Sequence, residues 1–210
     1  MPIIHGATIS PYVRKVLIVL EHKGIQYEVK AINPFKKTPE LMALHPLGKI
    51  PVYQEDDFIL PDSSAICSYL EKQYPTHPIY PSAAKSLGKC IWYESYADAL
   101  FQCIAGKIFF NKVVAPKFLG KEGNQQAIDE ALNQELPVMF AYLEQEIGTK
   151  EFLVDDQFTL ADISMFTSFV NFKYSGCSID QVRYPNLAKY IANLFKHPSI
   201  IKVLGQEKIG

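Results

Sequence analysis

The chain has 210 residues, enough for one large domain or two modest ones, and its 48% hydrophobic content supplies a real core. A net charge of −1 with 20% charged residues gives no broad attraction to nucleic acid or to an anionic membrane surface. No apolar run approaches the roughly 20 residues of a membrane span. The first six residues lack the basic and apolar regions of a signal peptide, and Cys67, Cys90, Cys103 and Cys177 lie far apart, so reduced thiols in the cytoplasm are expected.

Residues 2–5 form a short apolar run, followed by a loop to Pro11. Val13, Val16, Leu17, Val19 and Leu20 recur at helical spacing, with Arg14, Lys15 and Glu21 on the other face and Gly24 as the stop. Residues 27–32 alternate as a strand would, which completes a β-α-β unit. Thr38-Pro39-Glu40 caps a short helix through Leu44, with proline at its favoured first position. Residues 50–54 and 58–60 flank Glu55-Asp56-Asp57 as a hairpin, and Asp62 opens a helix to about residue 74. The order over residues 1–76 is therefore βαβαββα. Pro75, Pro78 and Pro81 are too dense for a helix and place a linker at 77–85. Beyond it the strand signals vanish. Residues 86–114 and 124–148 read as long helical runs, the second kinked or broken at Pro137. Thr159 and Asp162 are spaced as a capping box, and Tyr184-Pro185-Asn186 opens one more helix that ends at His197-Pro198. An α/β domain followed by an all-α domain over 86–210 is expected.

Two segments carry chemistry. In His45-Pro46-Leu47-Gly48-Lys49-Ile50-Pro51-Val52 a proline stands where a strand begins, because it cannot donate to a ladder. A cis bond before Pro51 would turn the N–H and C=O of Ile50 outward, free for a ligand. Asp62, Ser63 and Ser64 offer side-chain oxygens and helix-start N–H groups, suited to a ligand carrying an ammonium and a carboxylate. Together they describe a small site for an extended, peptide-like molecule. His5, His22, His77 and His197 are dispersed without metal-ligand spacing, and no metal is expected.

Ser10-Pro11-Tyr12-Val13-Arg14-Lys15-Val16, the His45–Pro51 and Asp62–Ile66 segments, and Thr159-Leu160-Ala161-Asp162 together resemble the soluble glutathione S-transferases across the whole chain. The motifs are closest to the serine-type theta- and phi-like bacterial members. The resemblance implies a thioredoxin-like N-terminal domain and a glutathione transferase activity. Ser10 would donate a hydrogen bond to the glutathione thiolate and so lower the thiol pKa, with the neighbouring hydroxyls of Thr8 and Tyr12 as alternatives. The absence of cysteine from positions 8–14 disfavours mixed-disulfide chemistry. By the same resemblance Ile50 and Pro51 hold the cysteinyl unit, Asp62 and Ser63 the γ-glutamyl end, and Lys37 or Lys49 the glycine carboxylate. Tyr12, Tyr96, Phe109 and Phe118 are candidate liners of a pocket for an apolar electrophile. A cytoplasmic homodimer is implied. The alternatives are a non-catalytic binding or scaffold protein on the same fold, and a glutathione-dependent peroxidase or isomerase.

Overall fold

The computed structural model describes residues 1–207 and divides into two compact units. The first comprises residues 1–79 together with the segment that starts at His197; the second spans residues 80–196.

In the first unit the elements follow as β1 (Ile3–His5), α1 (Pro11–His22), β2 (Glu28–Lys30), α2 (Pro39–Leu44), β3 (Val52–Glu55), β4 (Phe58–Pro61) and α3 (Ser63–Gln73). This is the βαβαββα order read from the sequence. The strands form one mixed sheet in the order β2-β1-β3-β4, with β1 parallel to β2 and β3 antiparallel to both neighbours. α1 and α3 pack together, and their apolar residues Val13, Val16, Leu17, Leu20, Ile66 and Leu70 are fully buried. Thr38 caps α2 by accepting from the Leu41 N–H at 3.2 Å.

Two features depart from the sequence reading. Arg14 and Lys15, placed there on the polar face of α1, are buried because each finds a polar partner elsewhere in the unit. The His197-Pro198 pair ends one helix but also starts another, α10 (Pro198–Leu204), since proline at a first helical position needs no donor. α10 packs along α1, so the segment after His197 belongs with the α/β unit and not with the helical one.

The second unit is all helical: α4 (Ala84–Phe101), a π-helical stretch (Gln102–Val114), α5 (Ala115–Phe118), α6 (Gln125–Glu130), a second π-helical stretch (Ala131–Glu135), α7 (Leu136–Ile147), α8 (Leu160–Tyr174) and α9 (Pro185–Leu194). The long runs expected from periodicity are thus interrupted by wider turns. Each π stretch precedes a proline, Pro116 or Pro137, at the second position of the next α-helix. A proline cannot donate to the carbonyl four residues back, and its ring clashes with it. α8 runs through the centre of the unit, with residues 160–172 all buried. Its start is held by Asp162, whose carboxylate accepts from the Leu153 N–H (2.8 Å), the Thr159 N–H (2.9 Å), the Thr159 hydroxyl (3.1 Å) and the Tyr190 hydroxyl (2.8 Å). Burial raises the Asp162 pKa against the pull of these four donors.

Candidate functional site

Strand register alone gathers the principal site segments. His5, the last residue of β1, pairs with Val52, the first of β3, and Val52 pairs with Pro61, the last of β4. The loop leaving β1, the Ile50–Pro51 pair entering β3, and Asp62–Ser63 leaving β4 therefore meet at one end of the sheet. α1 and α3 both start there, which brings two helix N-termini to the same place. The Lys15 ammonium donates to the Ser64 hydroxyl at 3.2 Å and ties the two helix starts together.

The loop from β1 is short and tight. A Cβ on Gly6 would lie 2.5 Å from Cγ2 of the buried Val13, so only glycine lets β1 approach α1 this closely. A turn closed by the Ser10 N–H on the Ala7 carbonyl (2.9 Å) leads into the helix. Ser10 is the N-cap residue by position, and its carbonyl accepts from the Arg14 N–H at 2.9 Å. Its half-buried side chain makes no capping bond, so the hydroxyl is not consumed by the helix it begins. Thr8 lies in the same turn, half-buried; Tyr12, also half-buried, has the Lys15 ammonium 5.7 Å from its ring centroid.

The Ile50–Pro51 peptide bond is cis. The Ile50 N–H and C=O enter no backbone hydrogen bond among the described residues. The turn before it is fixed by His45: its Nδ1 accepts from the Leu47 N–H (3.1 Å) and its carbonyl from the Gly48 N–H (2.8 Å). Nδ1 being an acceptor, the proton of the neutral ring sits on Nε2. Burial first, and then Lys49, hold the His45 pKa down, while Asp62 raises it. His45 is thus a turn residue, with Asp62 within electrostatic reach. Gly48 has φ +61°, and a Cβ there would come within 3.4 Å of the Lys37 side chain, which places Lys37 against the same turn. Lys37 and Lys49 are both exposed.

Asp62 carries φ 74° and ψ 129°, a conformation that costs a non-glycine residue about 1–3 kcal/mol. That backbone turns the chain sharply from β4 into α3, and the Asp62 carboxylate accepts from the Ser64 N–H at 2.9 Å. Ser63 follows at the first helical position, 4% exposed, with no intrahelical partner for its N–H. Its hydroxyl makes no hydrogen bond among the described residues.

Of the candidate pocket liners, Tyr12 lies at this sheet end, and Tyr96, Phe109 and Phe118 lie in the helical unit. The Tyr96 hydroxyl donates to the Met139 carbonyl (3.2 Å) and its ring packs against Tyr142 and Trp92. Phe109 is buried in the first π stretch, and Phe118 is half exposed at the end of α5. Residues the sequence reading passed over include Lys23, whose buried ammonium bonds the carbonyls of Tyr74, Thr76 and His77 and pairs with Glu71 at 2.7 Å. Beside it His22, His77 and His197, dispersed in sequence, meet with His22 5.9 Å from each of the other rings. No spacing rule for local motifs would have found either. Among the described residues no group of three His, Cys, Asp or Glu side chains is placed to hold a metal ion, and no helix is long and apolar enough to cross a membrane.

Residues 4–78 match the family model for the glutathione S-transferase N-terminal domain, and residues 109–207 that for the C-terminal domain. Glutathione S-transferase 4 of Zea mays is 32% identical over 168 residues, spanning 78% of this chain and 74% of the relative. Elongation factor 1-gamma of Schizosaccharomyces pombe is 30% identical over 170 residues, covering 80% of this chain but 40% of its own length. A glutathione S-transferase structure from Rhodospirillum rubrum superposes with a TM-score of 0.91 at 23% identity, covering 100% of this chain and 94% of that one.

Proposed function

Because the chain belongs to the glutathione S-transferase superfamily, we propose that the sheet-end site binds glutathione and activates its thiol for conjugation to an apolar electrophile. The observation that carries this reading is the Ser10 hydroxyl, seated at a helix start beside the cis Ile50–Pro51 pair and not engaged in capping.

Glutathione is an extended peptide-like molecule, and each of its parts has a counterpart. The N–H and C=O of Ile50, which enter no backbone hydrogen bond among the described residues, pair with the cysteinyl unit as an added strand. The Ser63 hydroxyl and N–H take the γ-glutamyl carboxylate at the start of α3, while Asp62 faces the ammonium. Lys37 and Lys49, flanking the same turn, attract the glycine carboxylate. This leaves the sulfur over the start of α1. The Ser10 hydroxyl donates a hydrogen bond to the thiolate, and the helix N-terminus adds partial positive charge. Both favour the ionised form, so the thiol loses its proton to solvent at a lower pH. The sulfur lone pair then forms the C–S bond at the electrophilic carbon, and either a leaving group departs with its bonding pair or the π pair of a polarised double bond shifts onto the neighbouring atom and is protonated by solvent. Ser10 forms no covalent bond. The homodimer and the cytoplasmic location belong to the same proposal.

The match to elongation factor 1-gamma favours a second reading, a binding module that keeps the fold without turnover. One experiment separates the two: titration of the thiolate absorbance of bound glutathione, in the wild type and in Ser10→Ala. A midpoint well below that of the free thiol, lost in Ser10→Ala together with about a hundredfold in kcat, is expected of the transferase. Saturable binding with an unshifted midpoint identifies the binding module. A shifted midpoint that survives Ser10→Ala assigns the donor role to another hydroxyl.

A further inference from the structure

Arg14 is fully buried one turn into α1, and what pairs with it comes from the far end of the chain. Its Nε donates to Glu207 Oε1 at 2.6 Å and its Nη2 to Glu207 Oε2 at 2.9 Å, a bidentate ion pair whose side chains are 0% and 1% exposed. The same Nη2 also donates to the Ile9 carbonyl at 3.4 Å, and the Arg14 N–H is bonded to the Ser10 carbonyl. The guanidinium thus holds the residue before Ser10, Glu207 fixes the plane of that guanidinium, and the Arg14 N–H makes the first helical bond of α1 to the Ser10 carbonyl.

We infer that Glu207 is a positioning residue for the thiolate donor, acting through Arg14 on the Ile9–Ser10 turn. The inference rests on the reading of Ser10 given above. The physical reason is the directionality of the pair. A guanidinium held at two nitrogens by one carboxylate keeps its remaining N–H groups in a fixed plane. Removing the carboxylate takes away the two bonds that fix the guanidinium plane, and the long bond to the Ile9 carbonyl is weakened with them. An ion pair serving only to dock α10 and the residues after it on α1 would alter stability alone. One that orients Ser10 alters the ionisation of the bound thiol as well.

The test uses the whole chain and two variants, Glu207→Gln and the double replacement Arg14→Met with Glu207→Leu. The double variant removes both charges in favour of apolar groups of similar size, so folding is retained where the single variant strands a buried guanidinium. Three quantities are read: the thermal midpoint, kcat and KM for glutathione with a chloronitrobenzene electrophile, and the titration midpoint of bound glutathione. Both variants are expected to raise the thiol midpoint by about one pH unit, a tenfold loss of ionisation, and to lower kcat by a similar factor. KM for glutathione stays within about twofold, since Ile50 and Ser63 are untouched. A thiol midpoint unchanged in the double variant, whatever its stability, overturns the inference and leaves the reading of Ser10 standing. A wild-type midpoint no lower than that of free glutathione overturns both.

Discussion

Acid should loosen the α/β unit through its histidine cluster. His22, at the end of α1, lies 5.9 Å from both His77 and His197. Its pKa is lowered to about 4, first by burial, then by His197, His77 and Lys23, against a raising effect of Glu71. Burial lowers the His197 pKa too. A histidine whose folded pKa is depressed binds fewer protons in the folded than in the unfolded state between about pH 4 and 6.5, so stability falls as pH drops through that window. For a shift from 6.5 to about 4 the loss on going from pH 7.5 to pH 5 is about 2 kcal/mol by linkage. The His22 ring is only half-buried, and solvent screening brings this to about 1 kcal/mol. The perturbation is His22→Gln, which removes the titration and keeps a polar side chain. The assay is native-state hydrogen exchange of the α1 amides, which reports the opening free energy of this unit. The difference between pH 7.5 and pH 5 should shrink by about 1 kcal/mol in the variant, with a residual slope from His197. An identical slope in wild type and variant would refute the argument, since His22 would then titrate alike in both states.

Two further substitutions test the packing on which each unit depends. Gly6→Ala places a Cβ 2.5 Å from Cγ2 of Val13, a stiff side chain buried in α1, so the strand and helix must separate. A loss of about 1–3 kcal/mol in urea denaturation is expected, and a loss under 0.5 kcal/mol would show that β1 and α1 can slide apart freely. Asp162→Ala strips four donors of their acceptor: the N–H and hydroxyl of Thr159 at the start of α8, the N–H of Leu153 and the hydroxyl of Tyr190. The destabilisation should reach about 3–5 kcal/mol, read by the same denaturation, and a value near 1 kcal/mol would mean that the raised pKa already reflects a nearly neutral, weakly engaged carboxyl.

Much of the α/β unit was legible because its signals are local. Proline at Pro11, Pro39 and Pro51, a polar N-cap before α2 and α3, and alternation in the strands each dictate conformation within a few residues. The clustering of Ser10, Ile50 and Ser63 was legible for the same reason, since each stands at the end of a strand or the start of a helix and the sheet brings those ends together. What stayed hidden depends on partners remote in sequence. Periodicity gave Arg14 and Lys15 to solvent, because a charged residue is normally exposed and nothing nearby announces Glu207. The π stretches escaped as well: the apolar spacing of residues 102–114 fits an α-helix, and only the proline that follows tells against it.

The buried cations Arg14 and Lys15 of α1, with Lys23 at its C-cap, show what such hidden partners accomplish. Arg14, Lys15 and Lys23 each leave water, a costly transfer, and each recovers that cost from a different distant segment. Lys15 reaches the start of α3, Lys23 the chain just past its end, and Arg14 the residues after α10. Apolar replacements of the same size would bury as much surface and avoid the desolvation. They would not distinguish one docking partner from another, whereas an ammonium or guanidinium without its acceptor is strongly penalised. The three cations therefore make α1 the element that fixes which segments may pack on it and in what register. Two of the three contacts, those of Arg14 and Lys15, bear on the sheet end where Ser10 and Ser63 stand, so the same charges tie together the segments that meet there.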